Sequence, residues 1–214
     1  MNVRMALAGV VAAACFTGCG LPGEERTQVV DDAAVPYDLL GAGETTPDER
    51  TDDAEVPRDV PVVFWVETDD RLAPAAVDVT CDRSPTDVVR AVLDALLASP
   101  TPDERDNGLA SAIPSTARLA LVQVEDGVAE VELDPVAPVD TERLPLAVGQ
   151  VVLSVTSAPG VDAVTFVTSG QPVDLPLPGG ALLTGAATPD DYAVLLPRRL
   201  ADDPGSEIGC PPPT

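Results

Sequence analysis

Residues 119–133 read Leu-Ala-Leu-Val-Gln-Val-Glu, then Asp126-Gly127, then Val-Ala-Glu-Val-Glu-Leu, and they decide the fold class. Asp-Gly between two strand-like runs is the residue pair that a two-residue β-hairpin turn demands. Ala129, Val131 and Leu133 face one way and Glu130 and Glu132 the other, so the hairpin has one buried face and one wet face. An apolar face of that kind needs a covering layer, and the flanking sequence supplies candidates for it.

Upstream, the run 61–66 (Pro-Val-Val-Phe-Trp-Val) reads as a buried strand stopped by Thr68-Asp69-Asp70. Residues 72–80, where Val77 and Val79 alternate against Asp78, read as a second strand pairing with it. Ser84-Pro85-Thr86-Asp87 is a helix start: a Ser cap, Pro at the first position and an acid three places after the cap. Val89, Val92, Leu93 and Leu96 then form one stripe, with Asp87, Arg90 and Asp94 opposite at ion-pairing spacing. Ser99-Pro100-Thr101-Pro102 ends this helix and leads into a loop with Asn107-Gly108 and Ile113-Pro114.

Downstream, residues 144–157 are ambiguous by themselves. Their Val content suits a strand, while Gln150, Ser154 and Ser157 recur at helical spacing with Val148, Val151 and Val155 opposite; we read a helix. Residues 161–168 alternate and end at Ser169-Gly170, a further strand. The order strand, strand, helix, hairpin, helix, strand predicts an α+β fold. It is a single two-layer domain with two helices packed on one face of a mixed or antiparallel sheet.

The N-terminus carries an address. Arg4 precedes the apolar run 5–16, too short to span a bilayer, and Phe16-Thr17-Gly18-Cys19 follows. These residues resemble a bacterial lipobox, with Phe16 where Leu is usual. The resemblance implies cleavage before Cys19 and diacylation of its sulfur. Cys15, after Ala13-Ala14, is a competing site, and an unlipidated secreted protein is the third reading. The organisation expected is a signal peptide over 1–18, an acidic flexible tether over 19–59, a folded domain over 60–182 and a Pro-rich C-terminal tail over 183–214. Within the tether, 35–40 is the one stretch able to dock on something.

The phrases above, in order, resemble the GerMN domain of sporulation and spore-germination lipoproteins and of many actinobacterial envelope lipoproteins. The matching residues are 62–65, Leu96 to Pro100, Gly108-Leu109, Ala112 to Pro114, 122–133, 149–156 and Pro159-Gly160-Val161. Ser169-Gly170 departs from the Asp-Gly or similar turn usual in that family. The resemblance implies a non-catalytic module akin to the small α/β domains of ring-forming assemblies. It also favours the helix over 144–157.

Chemistry is narrowly bounded. The chain has no His, and its twelve basic residues are all Arg, so His-based triads, His metal ligands, Ser-Lys dyads and Schiff-base lysines are absent. No catalytic residue, metal ligand or cofactor is assigned, and no small-molecule substrate is expected. A net charge of −24 repels phosphate backbones, which excludes nucleic acid as a partner. The carboxylate pairs Glu67/Asp69 and Glu130/Glu132 carry the alternative reading, a cell-wall hydrolase. Residues 103–108 lack the ligand spacing of a calcium loop. With Cys19 acylated, Cys81 and Cys210 are left as an even pair in an oxidising compartment, where a disulfide is expected. The expected partners are the membrane, through the lipid anchor, and an envelope protein or the cell wall.

Overall fold

The computed structural model describes residues 57–134, 140–201 and 208–211, all within the second of two compact units, residues 53–214. The Cys15 and Cys19 readings, the signal peptide, the tether to residue 56 and the stretch 35–40 lie outside the described residues.

The fold is α+β, with helices packed on a mixed sheet. Strand β1 (Val62–Val66) pairs antiparallel with β2 (Leu72–Ala76), with Val62 opposite Ala76 and Val66 opposite Leu72. Every residue of β1 is buried, as its unbroken apolar run requires. Helix α1 (Pro85–Ala98) begins at the Ser84 cap, whose hydroxyl accepts from the Asp87 N–H, and buries Val88, Val89, Val92, Leu93 and Leu96. Arg90 reaches Asp87 at 3.8 Å, on an exposed face where such a pair contributes little.

The residues 103–106, expected in a loop, form a short helix α2 (Pro102–Asp106). The same Thr101-Pro102 that stops α1 starts it. The Thr101 hydroxyl accepts from the Glu104 N–H, and the Glu104 carboxylate accepts from the Thr101 N–H, a reciprocal cap.

Strands β3 (Arg118–Glu125) and β4 (Val128–Asp134) form the expected hairpin. Asp126 and Gly127 both have positive φ, 48° and 79°, the backbone that Asp-Gly accommodates. Between Leu121 and Gln123 the register slips by one residue, a β-bulge at Val122 that the sequence pattern does not announce. Helix α3 (Leu144–Val155) is the crossover to β5 (Ala163–Thr168), which pairs parallel with β4. Ser169-Gly170, with φ of 51° and 71°, makes a second two-residue turn into β6 (Gln171–Pro172). The sheet order is β3-β4-β5-β6, and β1–β2 form a separate ribbon rather than joining it. A further ribbon pairs β7 (Leu175–Pro176) with β8 (Leu182–Leu183).

The described residues from 183 onward, 183–201 and 208–211, do not form the tail their prolines suggested. Tyr192, Leu196, Leu200 and Ile208 are buried in the common core. Pro189 opens a 3-10 helix, Pro189–Leu195, and the Asp191 carboxylate accepts from both the N–H and the hydroxyl of Thr188 just before it. The prolines here punctuate a packed segment. Gly149 on α3 makes room for it, since a Cβ there would stand 2.7 Å from Leu195 Cδ1 and 2.8 Å from Tyr192 Cδ1. Burial, with the Asp191 charge beside it, pushes the Tyr192 phenol up, so it stays protonated and donates to the Pro176 carbonyl at 3.1 Å. Arg71, in the β1–β2 turn, ties the far end of the 3-10 segment to that ribbon by donating to the carbonyls of Val194 and Leu196.

Candidate functional site

Helix α3 is buried from Leu146 to Val155, polar positions included. A helix enclosed on all sides must satisfy its polar side chains inside the protein. Ser157 Oγ accepts from the Val62 N–H at 2.9 Å, and Ser154 Oγ accepts from the Phe64 N–H at 2.9 Å. Two residues further along the same strand, Val66 exchanges a pair of 2.8 Å backbone hydrogen bonds with Ala110. The edge of β1 that faces away from β2 is thus closed at alternate residues by two hydroxyls and one isolated bridge. Gln150 continues the seam: its Oε1 accepts from the Ala112 N–H at 2.9 Å, and its amide donates to Ser111 Oγ at 3.3 Å.

The hydroxyl hydrogens are committed too. Ser154 donates to the Gln150 carbonyl at 2.6 Å, and Ser157 lies 2.7 Å from the Ser154 carbonyl and 3.0 Å from that of Val62. Neither hydroxyl is free to act as a nucleophile, and the chain has no His or Lys to activate one. Among the described residues no buried side-chain nitrogen or oxygen lacks a hydrogen-bond partner.

One end of the seam meets the chain's C-terminal residues. Cys81 and Cys210 are joined by a disulfide with their Cα atoms 5.5 Å apart. The Cys210 N–H donates to the Ser157 carbonyl at 2.8 Å, and Gly209 forms a parallel bridge with Arg58. Gly209 has φ of 87°, and a Cβ on it would stand 2.6 Å from the Ser157 carbonyl oxygen, so only glycine fits this crossing.

The carboxylates nominated from sequence fall in different places. Asp69 works in the β1–β2 turn, its Oδ1 accepting from the Arg71 N–H at 3.2 Å, while the Glu67 N–H bonds the Arg71 carbonyl. Glu130 and Glu132 lie on β4 opposite Gln123 and Ala120 of β3, Glu130 half-buried and Glu132 exposed. Glu104 is the carboxylate with a distinct environment. Burial pushes it up, but bonds from Thr101 and from the Trp65 indole N–H, at 3.1 Å, outweigh this and leave it below the ordinary value. An ionised acceptor locked between a helix cap and a buried Trp is a structural fastener and a poor general acid. Among the described residues no three His, Cys, Asp or Glu side chains gather as a metal site.

The family model for sporulation and spore germination, Germane, matches residues 46–174. The chain belongs to the Germane family. Three solved structures align with part of the chain. The tandem GerMN domains of the sporulation protein GerM from Bacillus subtilis align at 16% identity and a TM-score of 0.48, covering 61% of this chain and 46% of that one. This chain therefore spans about half of that tandem structure. The first GerMN domain of the same protein aligns at 16% identity and a TM-score of 0.44, covering 60% and 96% respectively. A Clostridium perfringens chain described as a lipoprotein aligns at 15% identity and a TM-score of 0.43, covering 64% and 91%. No curated protein matches the chain.

Within the Germane match lie β1 through β6 and the whole α3 seam; the 3-10 helix, α4 (Arg198–Ala201) and Cys210 fall beyond it. The seam is what sequence reasoning missed. Its signal is present, since Gln150, Ser154 and Ser157 share a stripe, but a polar stripe on a helix ordinarily marks the solvent side.

Proposed function

We propose that this Germane-family chain is a cell-envelope lipoprotein, held at the outer face of the membrane by lipid on Cys19, whose domain is a non-catalytic binding or assembly module. The family suggests a sporulation- or germination-related envelope role. The observation that carries the non-catalytic reading is the commitment of the enclosed polar side chains to partners within the domain: Gln150, Ser154 and Ser157 to β1 and its neighbouring loop, Glu104 to a cap and Trp65. The lipid anchor rests on the lipobox-like 16–19. Among the described residues no helix is long and apolar enough to cross a membrane.

Cross-linking in intact cells, purification through a C-terminal tag and mass spectrometry test the module reading; fractionation of Cys19→Ser tests the anchor. An abundant envelope partner, and release of Cys19→Ser from the membrane fraction, are the expected results. Recovery of wall fragments alone, with sugar or peptide release by the purified protein, would replace the reading with a hydrolase.

A further inference from the structure

The strand edges of this domain are treated unequally. The outer edge of β1 is closed by Ser154, Ser157 and Ala110. That of β5 is closed by β6 and by Ala187, which exchanges two 2.8 Å hydrogen bonds with Val164. The ribbon strand β2 is short and interrupted by Pro74, which has no N–H to offer. Strand β3 is the exception. It has eight residues, no Pro, and, among the described residues, no backbone partner on the side away from β4. Val122, at its centre, is one of the exposed large hydrophobics, with 47% of its surface accessible. An edge of this kind is a template for another strand.

We propose that β3 pairs with β3 of a second copy of this chain, antiparallel about a two-fold axis, so that the four-stranded sheet continues across the contact. The charges choose the occupant. The strand begins with exposed Arg118 and ends with exposed Glu125, and among the described residues neither has an ion-pair partner. In the antiparallel arrangement that sets Arg118 against Glu125 of the other copy, this pair occurs twice. The same register puts Leu119 across from Val124 and Ala120 across from Gln123.

The bulge makes this register consistent on either side of the two-fold axis, where Leu121 of one copy falls opposite the bulged Val122 of the other. Side chains alternate between faces, so residues opposite each other in an unbulged strand and its symmetry mate must be separated by an even number of positions. Arg118 and Glu125 are separated by an odd number. The extra residue at Val122 shifts the alternation by one. As a result the core-packed residues on either side of it, Leu119 and Val124, face each other, as do the exposed Ala120 and Gln123. Isologous contacts of this form are self-complementary by symmetry.

The proposal gives the binding-module reading one surface and one partner, and it rests on that reading only for its purpose in the envelope. The test is sedimentation equilibrium of the full chain carrying Cys19→Ser, over a wide concentration range in about 0.15 M salt, where long-range repulsion is screened beyond about 8 Å. A concentration-dependent dimer is expected. Arg118→Glu and Glu125→Arg should each weaken it about tenfold or more, because two attractive cross-strand contacts become repulsive. The double exchange, Arg118→Glu with Glu125→Arg, should restore it. Both positions are exposed, and thermal melting of each variant checks the fold independently. A protein that stays monomeric throughout, or dimers indifferent to the single reversals, or a double exchange that fails to restore association, would overturn the pairing. A monomer that still retained an envelope partner in cells would overturn it while leaving the proposed function standing.

Discussion

Replacing Ser157 with Ala probes the seam directly. The substitution removes the acceptor of the Val62 N–H, on a strand residue with no accessible surface, and Ser157 itself is 4% accessible. A buried donor left without a partner costs about 1–3 kcal/mol. The carbonyls of Ser154 and Val62, which share the single hydroxyl hydrogen, also lose it, though an under-satisfied carbonyl is better tolerated than an orphaned N–H. Ser157 lies beyond the last residue of α3, so no gain in helix propensity offsets the loss. We expect about 2 kcal/mol, a shift of roughly 1 M in urea midpoint for a slope near 2 kcal/mol per molar. Thr156→Ala is the matched control: its hydroxyl bonds only carbonyls of its own helix, at 2.9 and 3.3 Å, and its loss should cost roughly 0.5 kcal/mol or less. Amide hydrogen exchange supplies the local readout, with Val62 exchanging faster by up to about 30-fold if the change is felt as opening of β1. Equal midpoints for the two variants, or unchanged exchange at Val62, would refute the reasoning. Either result would mean that water or a neighbouring group replaces the hydroxyl at no cost.

The remaining predictions concern fasteners elsewhere in the domain. Reduction of the Cys81–Cys210 disulfide, which closes 129 residues of chain, should lower the stability of the domain by about 2–5 kcal/mol in urea titrations with and without reductant. Coincident titrations would contradict this. Glu104→Gln tests a pH dependence: because the folded carboxylate sits below its ordinary value, its contribution is fully present above that value and is lost as pH falls through the folded one. Wild type should therefore exceed the variant near neutrality and converge with it in acid. Fluorescence of Trp65, the sole Trp, should report the same change, and a gap that stayed constant into acid would exclude the mechanism.

Much of the fold was legible because its strongest signals are local. The Ser84-Pro85 cap and the Asp126-Gly127 turn depend on residues within a few positions of each other, and both stand where they were read. What was hidden depends on contacts across the chain. Thr101-Pro102 reads as a helix stop, and only the reciprocal bond from Glu104 shows it to be a start as well. The C-terminal prolines read as a tail because nothing within that segment shows that Gly149, far upstream, leaves a space for Tyr192 and Leu195. The Val122 bulge has no residue signature of its own. Gln150, Ser154 and Ser157 were visible as a stripe. Their destination was not, because a stripe of small polar residues looks the same whether it meets water or a strand edge.

That last ambiguity bears on function. A strand edge can be satisfied by another strand, by side chains or by a partner, and the three solutions differ in what they leave open. By using serine hydroxyls, the domain closes β1 without adding a strand, which keeps the β1–β2 ribbon separate from the main sheet and buries α3 against it. The same choice commits the polar side chains of α3 to hydrogen bonds inside the domain. Among the described residues, what remains able to form new backbone hydrogen bonds is concentrated on β3, the longest strand there, at the margin of a face that bears Glu130 and Glu132. A domain that satisfies its buried side chains so fully and leaves the outer edge of β3, among the described residues, without a backbone partner offers a surface on which neighbours can add. The charge-exchange experiment on Arg118 and Glu125 asks whether the first of those neighbours is itself.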